Sequence, residues 1–290
     1  MTSEQEPRQE ISKKQFDEER ALYALQNADV KDCIFAGPED GESALKEARN
    51  IAVEGCHFSL RYPLWHTHSF LLSDSTMDSR TRAALWYDQN GTINQCHLEG
   101  IKALRECSHI ALLNCTIESP EFGWKCNDIS LSDSTVDSEY IFLDSRNVRL
   151  KNVRVNGKYS FQYMKNLTIE NSILDTKDAF WHSRNVVIRN CTVSGEYLGW
   201  FSEKLTLDCC HISGTQPFCY CKGLKLIDCT MDRCDLSFEY SEVEADVRGH
   251  IDSVKNPKKG TITADSVGDI IWGNEVMDCC GKVVIRKKRN

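Results

Sequence analysis

One apolar column recurs every 19 residues through the middle of this chain: Ile110, Ile129, Val148, Leu167, Val186, Leu205 and Leu224. The column extends upstream through Gly91, Phe70, Ile51 and Ala28 with slightly longer steps. Downstream the same step leads to Val243 and Ile262. A strict repeat over most of a chain specifies a solenoid, in which one small unit buries its apolar face only against its neighbours.

Taking the column as position 0, positions +2 and +7 are apolar as well, for example Leu131 and Val136 or Ile188 and Val193. Positions +1 and +3 are mostly polar. That alternation predicts short strands with one face inward. Position +4 favours Asn or Asp (Asp74, Asn114, Asp133, Asn152, Asn171, Asn190, Asp228), residues that tolerate the left-handed region and turn the chain. Position +5 is small, commonly Cys or Ser, and position −6 is Leu or Phe, with Gly123 and Gly199 as exceptions. Nineteen residues cannot hold a strand, a full helix and two loops. The expected fold is therefore all-β: a single-stranded, right-handed parallel β-helix of about 13 coils. A leucine-rich-repeat horseshoe is the alternative, but its repeat is longer and its Asn sits one residue farther from the strand.

Composition narrows the function classes. The chain has 290 residues, 41% of them hydrophobic, and a formal net charge of −8. Apart from the Lys287–Lys288–Arg289 tail it has no basic run, so a nucleic-acid partner is not expected. It shows no apolar leader at its start and no stretch of 18 apolar residues, which predicts no membrane partner and a cytoplasmic location. In that compartment the 15 cysteines are expected to be reduced thiols rather than a disulfide framework.

Several blocks are not dictated by the repeat. They are Glu19–Leu22, Tyr62–Trp65, Asp178–Trp181, Gly195–Trp200, Phe238–Ser241 and Asp252–Pro257. Through them the chain resembles, over about residues 17–275, an uncharacterised bacterial family (a domain of unknown function) of single-stranded right-handed β-helices in the pectate-lyase-like superfamily. The resemblance implies the fold, its handedness and a bacterial origin, and implies no activity. The expected organisation is a flexible segment over residues 1–16, β-helix coils over 17–242, and terminal coils with a C-terminal cap over 243–290.

Position −5 holds five of the six tryptophans, Trp65, Trp86, Trp124, Trp181 and Trp200, together with Lys46, Arg105 and Gln162. Lys, Arg and Gln are seldom buried, so this column is expected to face outward. Position −4 beside it carries His66, Tyr87, Tyr163, His182, Phe201 and Tyr220. Exposed aromatic surface marks binding sites, so the ligand-binding candidates are these five tryptophans with Tyr87 and Tyr220. The expected ligand is a carbohydrate or a protein, and self-association through the strip is a further possibility. Packing of the indoles along a corner is the competing reading.

An enzymatic alternative, a lyase or hydrolase, would draw its acid and base from Glu196, His182 and Glu239 near the strip. Clustered Asp of the kind that holds calcium in polysaccharide lyases is missing from the outward columns. Glu170 and Asp208 lie two rungs apart with Arg189 between them, which reads as ordinary cross-strand pairing. The grouping of Cys209, Cys210, His211, Cys219 and Cys221 resembles a zinc site, but the repeat already accounts for Cys210 and Cys221. No metal and no cofactor is expected.

Overall fold

The computed structural model describes residues 8–37, 41–274 and 276–287. Part of the N-terminal segment and the Lys288–Arg289 end of the basic tail lie outside these residues. The chain divides into two compact units, Met1–Asp137 and Ser138–Asn290. Each is a β-solenoid of parallel strands with no helix among the described residues.

In unit 1 the long strands run through the 0 column: Gln9–Ser12, Gln26–Lys31, Arg49–Glu54, His68–Ser73, Gln89–Asn94, Ser108–Leu113 and Asn127–Ser132. Their register follows the sequence column, with Ile51 opposite Phe70, Phe70 opposite Gly91, and Ile110 opposite Ile129. A second, shorter strand follows in each coil, as in His57–Phe58 and Thr116–Glu118. A third ribbon of two-residue strands joins Leu64–Trp65, Leu85–Trp86 and Leu104–Arg105. The coil stack begins inside the segment read from sequence as loose, because Gln9–Ser12 pairs in register with Ala28–Lys31.

Unit 2 repeats the plan with long strands Arg146–Lys151, Lys165–Glu170, Arg184–Arg189, Glu203–Asp208 and Leu224–Asp232. After them the coil shortens. Val243 pairs with Gly260, a step of 17 residues, and Ile262 pairs with Ala245. Ile262 is therefore a +2 residue, and the expected 19-residue step from Val243 to Ile262 is coincidental. Right-handed winding is the sense that parallel crossovers adopt in nearly all cases.

The turns follow the sequence closely. Asp74, Asn114, Asp133, Asn152, Asn171, Asn190 and Asp228 all sit at φ between 49° and 54°, the left-handed geometry expected of position +4. That residue breaks the coil-to-coil ladder, and the +5 side chain repairs it. The Cys115 N–H donates to Ser134 Oγ at 2.9 Å, and the Ser134 hydroxyl donates to the carbonyl of Ser132 at 2.6 Å. Cysteine does the same in unit 2: Ser172 N–H donates to Cys191 Sγ at 3.4 Å, and that thiol donates to the carbonyl of Arg189 at 3.0 Å. A small side chain with one donor and one acceptor meets both demands, which is why Cys and Ser alternate there. These thiols are buried, and desolvation pushes Cys56, Cys96 and Cys234 up to about 12.

The core is built from the 0, +2, +7 and −6 columns. Like residues stack on like, as with Phe35 and Phe58 at 4.6 Å and Phe161 and Phe180 at 5.3 Å between ring centroids. The glycine exceptions are volume exchanges between neighbours. Beside Gly123 and Gly199 stand Phe122 and Leu198, both fully buried at −7, where other coils carry Ala or Pro in several cases. Gly91 gives its space to Phe70, whose ring lies 2.2 Å from where a Cβ would be.

Two stability measurements check this packing. Gly91→Ala forces the Phe70 ring to move and should cost about 1–3 kcal/mol in chemical denaturation. An unchanged midpoint would show that the ring has free room. The second concerns Asp88, which takes a corner position next to Thr67 and is fully buried. Its Oδ1 accepts the Thr67 N–H at 2.7 Å, while Oδ2 has no partner. Burial holds the Asp88 carboxyl well above the usual carboxylate range. The folded protein then binds a proton that the unfolded chain releases at about pH 3.9, so this group's contribution falls as pH rises through its folded value. Asp88→Asn should be more stable than wild type at pH 8, with the gap closing toward pH 4. A gap that widens toward pH 4 would contradict the neutral buried acid.

Candidate functional site

In unit 1 the −5 column is part of the third ribbon. Leu64, Leu85 and Leu104 point inward, so Trp65, Trp86 and Arg105 point outward, and Arg105 bridges in turn to Trp124. Trp65 and Trp86 stack at 5.0 Å with planes 13° apart. Lys46 Nζ lies 3.8 Å from the centroid of Trp65. The Arg105 guanidinium lies 4.8 Å from Trp86 and 5.8 Å from Trp124, and Lys102 Nζ is 4.6 Å from Trp124. The result is a pile of cations and rings in which each indole face already has a partner. Each cation contact is worth about 0.5–1 kcal/mol at such half-buried sites.

The −4 column of unit 1 carries polar partners that the sequence reading did not single out. His66 Nδ1 sits 3.0 Å from Glu47 Oε1. Tyr87 stacks on His66 at 5.2 Å, and its hydroxyl bonds to Glu106, which pushes the Tyr87 pKa up. Glu106 also accepts the Trp86 indole N–H at 3.4 Å. Glu47 and Glu106 occupy the same repeat position as His66 and Tyr87, and that shared position was the available signal.

In unit 2 the two columns exchange character. Trp181 and Trp200 stack at 5.4 Å, 8° from parallel. Their indole N–H groups donate to the carbonyls of Tyr197 at 2.7 Å and Gln216 at 2.8 Å, each 16 residues on. Both tryptophans therefore brace the turn of the following coil. Gln162 and Cys219, in the same column, are buried. The column is thus not uniformly outward, because the neighbouring turn closes over it.

The −4 column of unit 2 is the open one. Tyr163, His182, Phe201 and Tyr220 stack in series, with centroids 5.1, 5.0 and 4.8 Å apart and planes within 13° of parallel. Tyr240 continues the series at 5.2 Å, tilted by 39°. All four of the first residues lie at φ between 55° and 59°, which swings their side chains out of the corner. Tyr163 is 50% exposed and Phe201 40%. The rings face one another, so the ladder presents ring edges to solvent. Burial is the main cause that pushes the Tyr220 pKa up, and the Glu239 carboxylate adds to it.

The carboxylate candidates are placed apart. Glu196 pairs with Lys177 at 2.9 Å on an exposed surface. Glu239 pairs with Lys255 at 2.8 Å. His182 is held between Tyr163 and Phe201. These three lie on different coils with different partners. The Phe238–Ser241 block does not break the repeat; it continues it with a step of 20 residues. Phe238 stacks on Phe218 at 6.1 Å, and Ser241 Oγ accepts the Cys221 N–H at 2.8 Å as a corner residue. Arg189 lies 3.6 Å from both Glu170 and Asp208, the cross-strand pairing expected. Around the cysteine grouping, Cys210 donates to the carbonyl of Asp208 at 3.3 Å and Cys221 to that of Gly199 at 3.1 Å, while Cys209 is exposed. Among the described residues no group of three His, Cys, Asp or Glu side chains is gathered for a metal. A cavity of about 160 Å³ opens elsewhere on unit 2, between Gly223, Lys225, Glu244 and Gly260.

Fold and surface together define a β-solenoid protein with an outward aromatic ladder. The chain belongs to the family described as protein of unknown function (DUF3737), whose profile matches residues 9–285. No curated protein matches the sequence. Among solved structures, the chain is similar to the surface protein and adhesin PfbA of Streptococcus pneumoniae, at 8% identity and a TM-score of 0.39, covering 89% of this chain and 76% of that one. It is also similar to the A-module of the Azotobacter vinelandii mannuronan C-5 epimerase AlgE4, at 10% identity and a TM-score of 0.31, covering 97% and 90%. Similarity at this level carries no activity across.

The two columns of unit 2 should respond differently to truncation. Trp200→Ala removes a stacked, half-buried indole and its bond to Gln216, and should cost about 2–4 kcal/mol. Phe201→Ala removes an exposed ring and should cost under about 1 kcal/mol. Thermal and urea unfolding of both variants provide the check. Equal losses would show that the −4 ladder is as structural as the indoles.

Proposed function

We propose that this protein is a binding module and that the Tyr163–His182–Phe201–Tyr220 ladder is its docking strip. The observation that supports this most directly is the exposure of four stacked rings on successive coils. The core does not need them, and neither the corner clamps nor the ion pairs employ them. The indoles at −5 are the weaker binding candidates. Their faces are covered by one another or by cations, and in unit 2 their N–H groups are committed to the backbone.

Ring orientation bears on the ligand. A sugar stacks on an open aromatic face, and within the ladder each inner face is already used. Ring edges carry the positive end of the aromatic quadrupole and suit carbonyl oxygens, carboxylates or further rings meeting them side-on. A polypeptide offers all three along an extended length, so a protein ligand fits the strip better than a glycan. The carbohydrate reading keeps one foothold at Tyr163, the end of the ladder, which stacks on a ring on one side only.

Photo-crosslinking separates the readings. A photoreactive phenylalanine analogue at position 201 should capture the same defined protein across repeated preparations, and Tyr163→Ala should reduce its yield at least about fivefold. Saturable binding of a purified oligosaccharide that Tyr163→Ala abolishes would replace the protein ligand with a glycan. Crosslinking unaffected by Tyr163→Ala, with no glycan bound, would reject the strip.

A further inference from the structure

Unit 2 finishes in an open coil. Among the described residues Lys282–Ile285 pairs only with Lys259–Ala264, and Ser266–Ile271 only with His250–Lys255. Each final strand therefore leaves one edge of N–H and C=O groups without a neighbouring strand. The side chains on these strands are core side chains by register. Ile270 lies opposite Val254 and Ile285 opposite Ala264, and both of those partners are fully buried. Yet Ile270 is 44% exposed and Ile285 50% exposed, because no further coil covers them. Trp272 and Val276 widen the bare surface.

The first coil of unit 1 is different. Ile11, on the starting strand Gln9–Ser12, is buried, and the polar Gln9 takes the 0 position opposite Ala28. That end is already closed. A solenoid end left open calls for an occupant that brings a free strand edge and apolar side chains together. A second copy of this chain supplies both with its own last coil. Stacking head to tail would set the bare coil against a closed, polar one and would leave a bare coil at the end of every filament. Contact between two C-terminal coils is isologous and closes in one step.

Charge supports the same occupant. Lys282 stands on one terminal strand and Asp269 on the other, both exposed and neither in an ion pair. Two-fold symmetry brings any contact between this Lys and the other copy's Asp into being twice. We propose that the protein is a closed two-fold dimer joined through its C-terminal coils, with Ile270 and Ile285 in the buried centre and Lys282 facing Asp269 across the axis. This interface is separate from the ladder at −4, so its failure would leave the docking strip untouched.

Sedimentation velocity on the full chain tests it. From 1 to 100 µM protein (roughly the range in which moderate interfaces assemble), the wild type should show twice the chain mass of 33.1 kDa. Ile285→Glu should give a single-chain mass with an unchanged β-type circular dichroism spectrum. Should that variant fail to fold, the charge pair decides. Lys282→Glu and Asp269→Lys should each weaken dimerisation roughly tenfold, and the double exchange should return it to within about threefold of wild type. A wild type of one chain mass at 100 µM, a series growing beyond the dimer, or charge reversals without effect and without mutual rescue would each overturn the proposal.

Discussion

Every feature of this molecule depends on the parallel coil-to-coil ladder. Its hydrogen bonds lock each residue to its equivalent one coil away, so a side chain spends its life among copies of its own repeat position. Packing in the interior becomes a set of vertical columns: phenylalanine on phenylalanine, leucine on leucine, corner hydroxyl or thiol on the next corner. The columns tolerate change only when a neighbour absorbs it. Phe70 over Gly91, Phe122 beside Gly123 and Leu198 beside Gly199 show that exchange directly.

The ladder also governs the surface. Any outward position that repeats an aromatic residue becomes a stack whether or not a ligand exists, because the coil spacing places successive rings at contact distance. Stacking therefore says little about function. Exposure and spare bonding capacity say more. By those criteria the −5 tryptophans resemble structural members, and the −4 ladder of unit 2 resembles a surface kept available. In unit 1 the same −4 column is filled instead by the acid–base pairs Glu47–His66 and Tyr87–Glu106.

Much of the fold was legible in the sequence because the repeat enforces it. The 0 column, the left-handed Asn and Asp at +4 and the buried Cys and Ser at +5 all stand where the spacing put them. The errors fall where the spacing changes. Ile262 kept the arithmetic of the repeat but lost its register when the coil shortened to 17 residues. Phe238–Ser241 looked foreign only because one added residue moved it out of phase with Phe218–Cys221. The candidate site was less legible. Periodicity gives the column of a side chain but not whether the next turn folds over it, and that turn is what buries Gln162 and engages Trp181 and Trp200.

The corner clamp has a practical corollary. Serine and cysteine fill the same +5 socket with the same two bonds, one accepted from the coil below and one donated to the carbonyl two residues back. The thiols there are placeholders for a hydroxyl. A chain recoded with serine at Cys56, Cys96, Cys115, Cys191, Cys210 and Cys229 would keep its geometry. A single thiol left at an exposed position such as Cys209 would then be the one attachment point for a dye, a spin label or a surface tether.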